Sequence, residues 1–223
     1  MRFKDKVVLI TGAGRGYGRE IAKAFAVEGA LVALNDISPQ NLDSLVDEIR
    51  AAGGQAKSFL RDIAKKVPVQ GLVMQVEDDY GRIDCLINYS AVEPKKPLLE
   101  IDEWDWQRTL TVNLSAAFLM TQSVGRVMRK QGGGTVVNLV PLAGREEAVD
   151  RSAYVAAMMG LIGFTRQAAR ELAAQQIRVH AVCTGVPELH RAQRGYPVNF
   201  EKAVLYLCEE KSAALTGQII NIA

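Results

Sequence analysis

The sequence predicts an α/β fold, a doubly wound parallel sheet of about seven strands with helices on both faces. Short β-branched runs alternate with longer segments of helical period, the pattern of repeated βαβ units. The first apolar run, Val7-Val8-Leu9-Ile10, is continuous rather than alternating, as expected of a central strand covered on both faces. The 223 residues suffice for one domain with a substantial core and are too few for two comfortable ones. No repeat, low-complexity stretch or linker divides them, so a single domain is expected over 1–223.

After the first strand, helical residues run from Gly16 to Glu28 and are closed by Gly29. Leu31 to Asn35 reads as the second strand. Pro39 to Ala52 reads as a helix capped by Ser38 and ended by Gly53-Gly54. Further strands are expected at Ala56–Leu60, Ile83–Ile87, Thr135–Leu139, Ile177–Cys183 and Gln218–Asn221. The remaining helices are expected at Val69–Tyr80, Trp104–Lys130, Ser152–Ala174 and Asn199–Cys208. Gly132-Gly133-Gly134 falls between a helix and a strand and reads as a turn.

Hydrophobic residues make up 48% and charged residues 23%, the balance of an ordinary globular protein. The formal charge of +2 supplies no field to draw in nucleic acid or an anionic membrane, and neither partner is expected. Cys85, Cys183 and Cys208 are scattered, which argues for small buried hydrophobes rather than a disulfide framework or a metal site. The apolar run before Thr11 is only four residues, too few for a leader's hydrophobic region, and no run approaches a membrane span. A cytoplasmic location is the expectation.

Thr11-Gly12-Ala13-Gly14-Arg15-Gly16-Tyr17-Gly18 joins the first strand to the first helix. A pyrophosphate needs a tight turn, a backbone that can come close without a Cβ, and free amides at a helix N-terminus. Gly12 would supply the turn, Gly16 the close approach and Gly18 the helix–strand contact. Glycine clusters also mark ordinary turns, but the strand-to-helix context is that of a Rossmann-type dinucleotide site. Eighteen residues past Gly18, Asp36 stands where a carboxylate can accept from the adenosine ribose hydroxyls and repel an extra phosphate. Arg15 could pair with that phosphate instead. Because Asp36 holds the diagnostic position and Ile37 is not basic, the residues favour NAD over NADP.

The loop spelled Thr-Gly-x-x-x-Gly-x-Gly resembles that of the short-chain dehydrogenase/reductase family, and the resemblance covers nearly the whole chain. Arg61-Asp62-Ile63, Gly81-Arg82-Ile83-Asp84-Cys85-Leu86-Ile87-Asn88, Thr111-Val112-Asn113-Leu114, Gly134-Thr135-Val136-Val137-Asn138, Ala143-Gly144 and Thr216-Gly217-Gln218 match its motifs in order. The resemblance implies nucleotide contacts from Gly12, Arg15, Gly16, Tyr17, Gly18, Asp36, Ile37, Asp62, Ile63, Asn88, Ser90, Ala91, Tyr154 and Gly185. It implies hydride transfer between the coenzyme and a small alcohol or carbonyl, by an enzyme that assembles as a homodimer or homotetramer. In that family a Tyr is the general acid/base and a Ser polarises the carbonyl. A Lys binds the nicotinamide ribose and lowers the Tyr pKa, and an Asn supports a relay water.

Carried over by position, the Tyr is Tyr154 and the Asn is Asn113, but the Ser position holds Pro141 and the Lys position holds Met158. An unassisted phenol, with a pKa of about 10, is phenolate in roughly one molecule per thousand near pH 7. A cation four residues along the helix would raise that fraction; Met158 has no charge to do so. Pro141 has neither hydroxyl nor amide hydrogen for a developing oxyanion, a loss of about 3 kcal/mol per missing donor. Ser152 is expected on a different side of the helix from Tyr154, and Ser90 falls where the family has Ala. The family's Asn-Asn-Ala-Gly reads Asn88-Tyr89-Ser90-Ala91, its Pro-Gly reads Thr184-Gly185, and the segment from Val186 to Leu215 is short. His180 and His190 fall on no catalytic position. Two readings follow: an oxidoreductase with impaired or altered catalysis, or a silent NAD-binding regulatory or structural subunit.

Overall fold

A computed structural model describes residues 1–89, 91–141, 149–184 and 200–222. Seven parallel strands form one sheet in the order β3-β2-β1-β4-β5-β6-β7. They are β1 (Val7–Ile10), β2 (Leu31–Asp36), β3 (Gln55–Leu60), β4 (Cys85–Asn88), β5 (Gly134–Val140), β6 (Ile177–Thr184) and β7 (Ile219–Ile222). All four residues of β1 are buried, as its unbroken apolar run requires. Register runs Val8 to Val32 on one side and Val8 to Cys85 on the other, which places β1 at the sheet centre. The order of succession reverses between β1 and β4, and at such a switch point the carboxyl ends of the strands splay into a crevice.

Two layers of helices cover the sheet. On one face α1 (Gly16–Val27), α2 (Pro39–Ala51) and α7 (Phe200–Cys208) bury Ile21, Phe25, Leu45 and Val204 against Val8, Ile10 and Val182. On the other, α3 (Lys66–Tyr80), α5 (Ala116–Lys130) and α6 (Ser152–Leu172) bury Leu72, Met120, Val124 and Ala168 against Leu9, Leu86 and Val136. The three cysteines are buried.

Several boundaries differ from expectation for physical reasons. The helix expected from Val69 begins at Lys66, because Pro68 sits in its first turn, where no intrahelical N–H is needed. Ser38 precedes α2 but makes no side-chain cap; its own N–H donates to Asp36 Oδ1 at 3.0 Å. The strand expected at Ile83–Ile87 begins at Cys85 and runs to Asn88, and the last strand is shifted by one residue. The single helix expected over Trp104–Lys130 is α4 (Glu103–Leu110), a π-helical turn (Thr111–Ser115) and then α5. Asp102 caps α4 by accepting from the Asp105 N–H at 2.7 Å.

His180 lies on β6 opposite Val137, fully buried, and neither ring nitrogen has a partner among the described residues. Burial first, and the charge of Arg178 second, hold its pKa at about 4, below an ordinary value of 6.5. The unfolded chain therefore takes up a proton that the folded chain refuses, so folding stability falls as pH drops from 6.5 towards 4. Over that window urea unfolding should show a loss of about 2–3 kcal/mol in wild type that His180→Leu lacks. Equal slopes in the two proteins would show that His180 does not titrate between the two states.

Candidate nucleotide-binding site

The loop after β1 is built by hydrogen bonds that cross the switch point. Thr11 Oγ1 accepts from the Tyr89 N–H at 3.0 Å, and the Thr11 N–H donates to the Ile87 carbonyl at 3.0 Å. On the other side the Ala13 N–H donates to the Asn35 carbonyl at 2.9 Å, and the Gly14 N–H to Asp36 Oδ2 at 3.0 Å. Gly12 and Gly16 have φ of +60° and +58°, the left-handed region that a Cβ disfavours. A Cβ on Gly18 would stand 2.4 Å from the Gly12 carbonyl oxygen and 2.9 Å from the Tyr89 ring. Gly12 thus makes the tight turn, and Gly18 the close helix–strand contact, that their spacing predicts. Beyond them α1 opens with no acidic residue in its first turn, a helix end suited to an anion.

A cleft of about 1350 Å³ lies along the carboxyl ends of the strands. Gly12, Arg15, Gly16 and Tyr17 line it from the loop, and Asp36, Ile37, Asp62 and Ile63 from the ends of β2 and β3. Ala91 and Tyr154 line it beyond β4. Asp36 is fixed by the backbone: Oδ1 accepts from Ile37 and Ser38 N–H at 2.7 and 3.0 Å while Oδ2 holds Gly14. Tyr17 is more buried than a contact residue needs to be, with its ring edge-on to Phe200 at 4.5 Å and to Tyr89 at 5.8 Å. Gly18 supports the cleft from behind rather than lining it. Ser90, Gly185, His190, Ala143 and Gly144 lie outside the described residues.

Asn88, Asn113 and Met158 are not on the cleft. They line a separate cavity of about 10 Å³ with Thr11 and Leu161, room for about one water centre. Asn113 is clamped to the chain: Oδ1 accepts from the Val92 N–H and Nδ2 donates to the Val92 carbonyl, both at 2.8 Å. That clamp sits inside the π-helical turn between α4 and α5. Asn88 Nδ2 donates to Asn138 Oδ1 at 2.8 Å, Asn138 Nδ2 to Thr165 Oγ1 at 2.9 Å, and Thr165 Oγ1 to the Leu161 carbonyl at 2.7 Å. This buried chain ties β4 to β5 and to α6; Asn88 Oδ1 has no partner among the described residues.

Tyr154 and Met158 stand one turn apart on α6, and each is 1% exposed. Both belong to a cluster with Ala117, Val140, Leu161 and Ala181. The Tyr154 hydroxyl donates to the Pro141 carbonyl at 2.9 Å, an acceptor that the missing side-chain hydroxyl would not have changed. Ser152 Oγ is buried with no partner among the described residues, and Ser152 is not among the residues that line the cleft. Near the start of α6, Arg151 pairs with Glu93 of the β4–α4 segment.

Sequence reasoning did not single out Asn35, whose Nδ2 donates to the carbonyls of Phe59 and Arg61 and so holds β2 against β3 beneath the cleft. Its place beside Asp36 was the available signal. Nor did it find the pairing of Trp104 with Arg108 (5.1 Å from guanidinium to ring), which lines the cleft from α4. Among the described residues no cluster of three His, Cys, Asp or Glu could hold a metal ion, and no helix is long and apolar enough to cross a membrane.

Residues 6–194 match the family model described as short chain dehydrogenase. The chain is 34% identical to 3-oxoacyl-(acyl-carrier-protein) reductase of Thermotoga maritima, covering 100% of this chain and 98% of the relative. It is 32% identical to D-threitol dehydrogenase of Mycolicibacterium smegmatis, covering 97% and 90%. A short chain dehydrogenase from Mycobacterium smegmatis superposes with a TM-score of 0.91 at 27% identity, over 100% of this chain and 93% of that one. A 7α-hydroxysteroid dehydrogenase complexed with NADH and 7-oxo glycochenodeoxycholic acid superposes with a TM-score of 0.89 at 28% identity, over 99% of this chain and 93% of that one. With this fold, this glycine loop and these relatives, the chain belongs to the short-chain dehydrogenase family of oxidoreductases.

Proposed function

We propose that this protein binds NAD(H) in the cleft and that hydride transfer to or from a small alcohol or carbonyl is strongly impaired. Two features support a coenzyme at this end: a glycine cradle that a Cβ would fill, and the backbone-held Asp36 carboxylate on the cleft, where a nucleoside sugar would lie. Asp36 also favours NAD over NADP. Gly12, Gly16 and the first turn of α1 would hold the pyrophosphate, with Arg15 beside it, and Asp62 and Ile63 would border the adenine. Bound there, the coenzyme supplies or accepts the hydride.

The observation that carries the reading is at the other end. The Tyr154 hydroxyl is committed to the Pro141 carbonyl, and the residue one turn on is Met158, buried and uncharged. Met158 supplies no cation at that position, and Pro141 offers no donor to a carbonyl oxygen. The same observation favours the second reading, a regulatory or structural subunit that holds NAD without turning it over.

We also infer a homodimer or homotetramer. On α5 and α6, Phe118 and Met159 are 43% and 51% exposed, and a Cβ on Gly163 of α6 would meet open space. One sample tests both inferences. Titration should give a saturable change in NADH fluorescence, light scattering a mass of two or four chains, and a panel of alcohols and ketones little turnover. A flat titration rejects the coenzyme, a monomeric mass rejects the assembly, and brisk turnover abolished by Tyr154→Phe rejects the impairment.

A further inference from the structure

The glycine loop spans from β4 to β2 and is held differently at each end. Towards β4 the bonds are made by Thr11, whose N–H donates to the Ile87 carbonyl and whose Oγ1 accepts from the Tyr89 N–H. Towards β2 the Ala13 N–H donates to the Asn35 carbonyl, but the next amide has a side chain for its partner: Gly14 N–H donates to Asp36 Oδ2 at 3.0 Å. The second oxygen of that carboxylate, Oδ1, accepts from Ile37 and Ser38 N–H in the turn that leads into α2. One carboxylate therefore fastens the loop after β1 to the turn after β2. The fit is close: a Cβ on Gly14 would stand 2.9 Å from Asp36 Oδ2 and 2.8 Å from the Asn41 Cβ of α2. The φ of Gly14 lies outside the left-handed region, so a methyl there disturbs this contact rather than the backbone's own preference.

Building on the coenzyme site proposed above, we propose that Asp36 is a positioning residue for the pyrophosphate loop as well as an acceptor for the nucleoside sugar. A carboxylate has about four acceptor positions. Three of those on Asp36 are taken by backbone amides, which leaves room for a sugar hydroxyl. The amides at Gly16 and the head of α1 follow Gly14 directly in the chain, so their aim at a pyrophosphate depends on where Gly14 is held. Loss of the carboxylate thus removes a sugar contact and releases the loop in one step, and binding of a ligand without any sugar suffers too.

Inorganic pyrophosphate, which carries no sugar, tests this on the full chain by competition against NADH fluorescence. Asp36→Asn keeps one oxygen for the turn before α2 and puts an amide where the second oxygen was, so it cannot accept on both sides. Gly14→Ala keeps the carboxylate and presses on its Oδ2. Both variants should weaken pyrophosphate by about fivefold or more. Hydrogen exchange without ligand should quicken about tenfold in the loop peptide of Asp36→Asn and stay unchanged in α5. If Asp36→Asn weakens NADH but leaves pyrophosphate affinity and loop exchange as in wild type, Asp36 reads the sugar alone, and the inference fails while the coenzyme site stands. An equal rise of exchange in the loop and in α5 overturns it too, since the substitution then acts on the whole fold. If neither NADH nor pyrophosphate binds wild type, the coenzyme site itself falls and the inference with it.

Discussion

Installing a lysine and a serine together, Met158→Lys with Pro141→Ser, should raise NADH-dependent reduction of small ketones by about a hundredfold or more, the value of one well-placed donor plus a matched acid/base group. The scaffold is prepared for both. Met158 lies one turn from Tyr154, so an ammonium there stands beside the phenol. It also lines the cavity that contains Asn88, whose Oδ1 is a buried acceptor without a partner among the described residues. A lysine side chain is one atom longer than methionine and would bring a donor towards that acceptor, which offsets part of the cost of burying its charge. Met158→Lys alone should recover part of the effect, since the carbonyl donor is still missing. Stopped-flow oxidation of NADH at 340 nm reads the result. No gain in the doubly substituted protein, with NADH still bound and the fold intact by circular dichroism, would show that more than these two groups has been lost.

The second large effect is expected at Gly18. Gly18→Ala puts a methyl 2.4 Å from the Gly12 carbonyl oxygen, a backbone atom that cannot rotate away, and 2.9 Å from the Tyr89 ring. The helix must back off from β1, and the loop that it carries moves with it. Overpacking of this kind costs roughly 1–3 kcal/mol of stability. Nucleotide affinity should fall by about a hundredfold, because the amides at the head of α1 lose their aim. Gly71 on α3 is the control: a Cβ there meets nothing within 4 Å. Gly71→Ala should leave NADH binding unchanged and stabilise the protein by up to about 1 kcal/mol, the ordinary helix preference for alanine. Thermal unfolding and the NADH titration, run on both variants, separate the two cases. Equal behaviour would show that the close approach at Gly18 is not what shapes the loop.

Local chemistry made much of this legible in the sequence. A run of four apolar residues followed by spaced glycines and an apolar-faced helix has few other solutions, so β1, the loop and α1 fall where expected. The carboxylate at the end of β2 was found the same way, from a fixed distance along one βαβ unit. Boundaries were missed where a distant partner sets them. The break at Thr111–Ser115 leaves the apolar period of Trp104–Lys130 almost untouched, yet the turn contains Asn113, held to Val92 from 21 residues away. Ser38 could cap α2 on residue type alone, but its hydroxyl makes no bond to the head of that helix.

The sequence by itself determined the layered fold, the glycine loop, the carboxylate beside it, and the Pro and Met at two of the four positions where the resemblance implies reacting groups. Only the tertiary structure decided what the survivors do. It gives the Tyr154 hydroxyl to the Pro141 carbonyl, closes Asn113 on Val92, and runs Asn88 through Asn138 to Thr165. A hydroxyl or an amide fixes only what it can bond. Which partner it takes depends on what the folded chain brings within about 3 Å, and for most of these pairs that partner comes from another strand or helix.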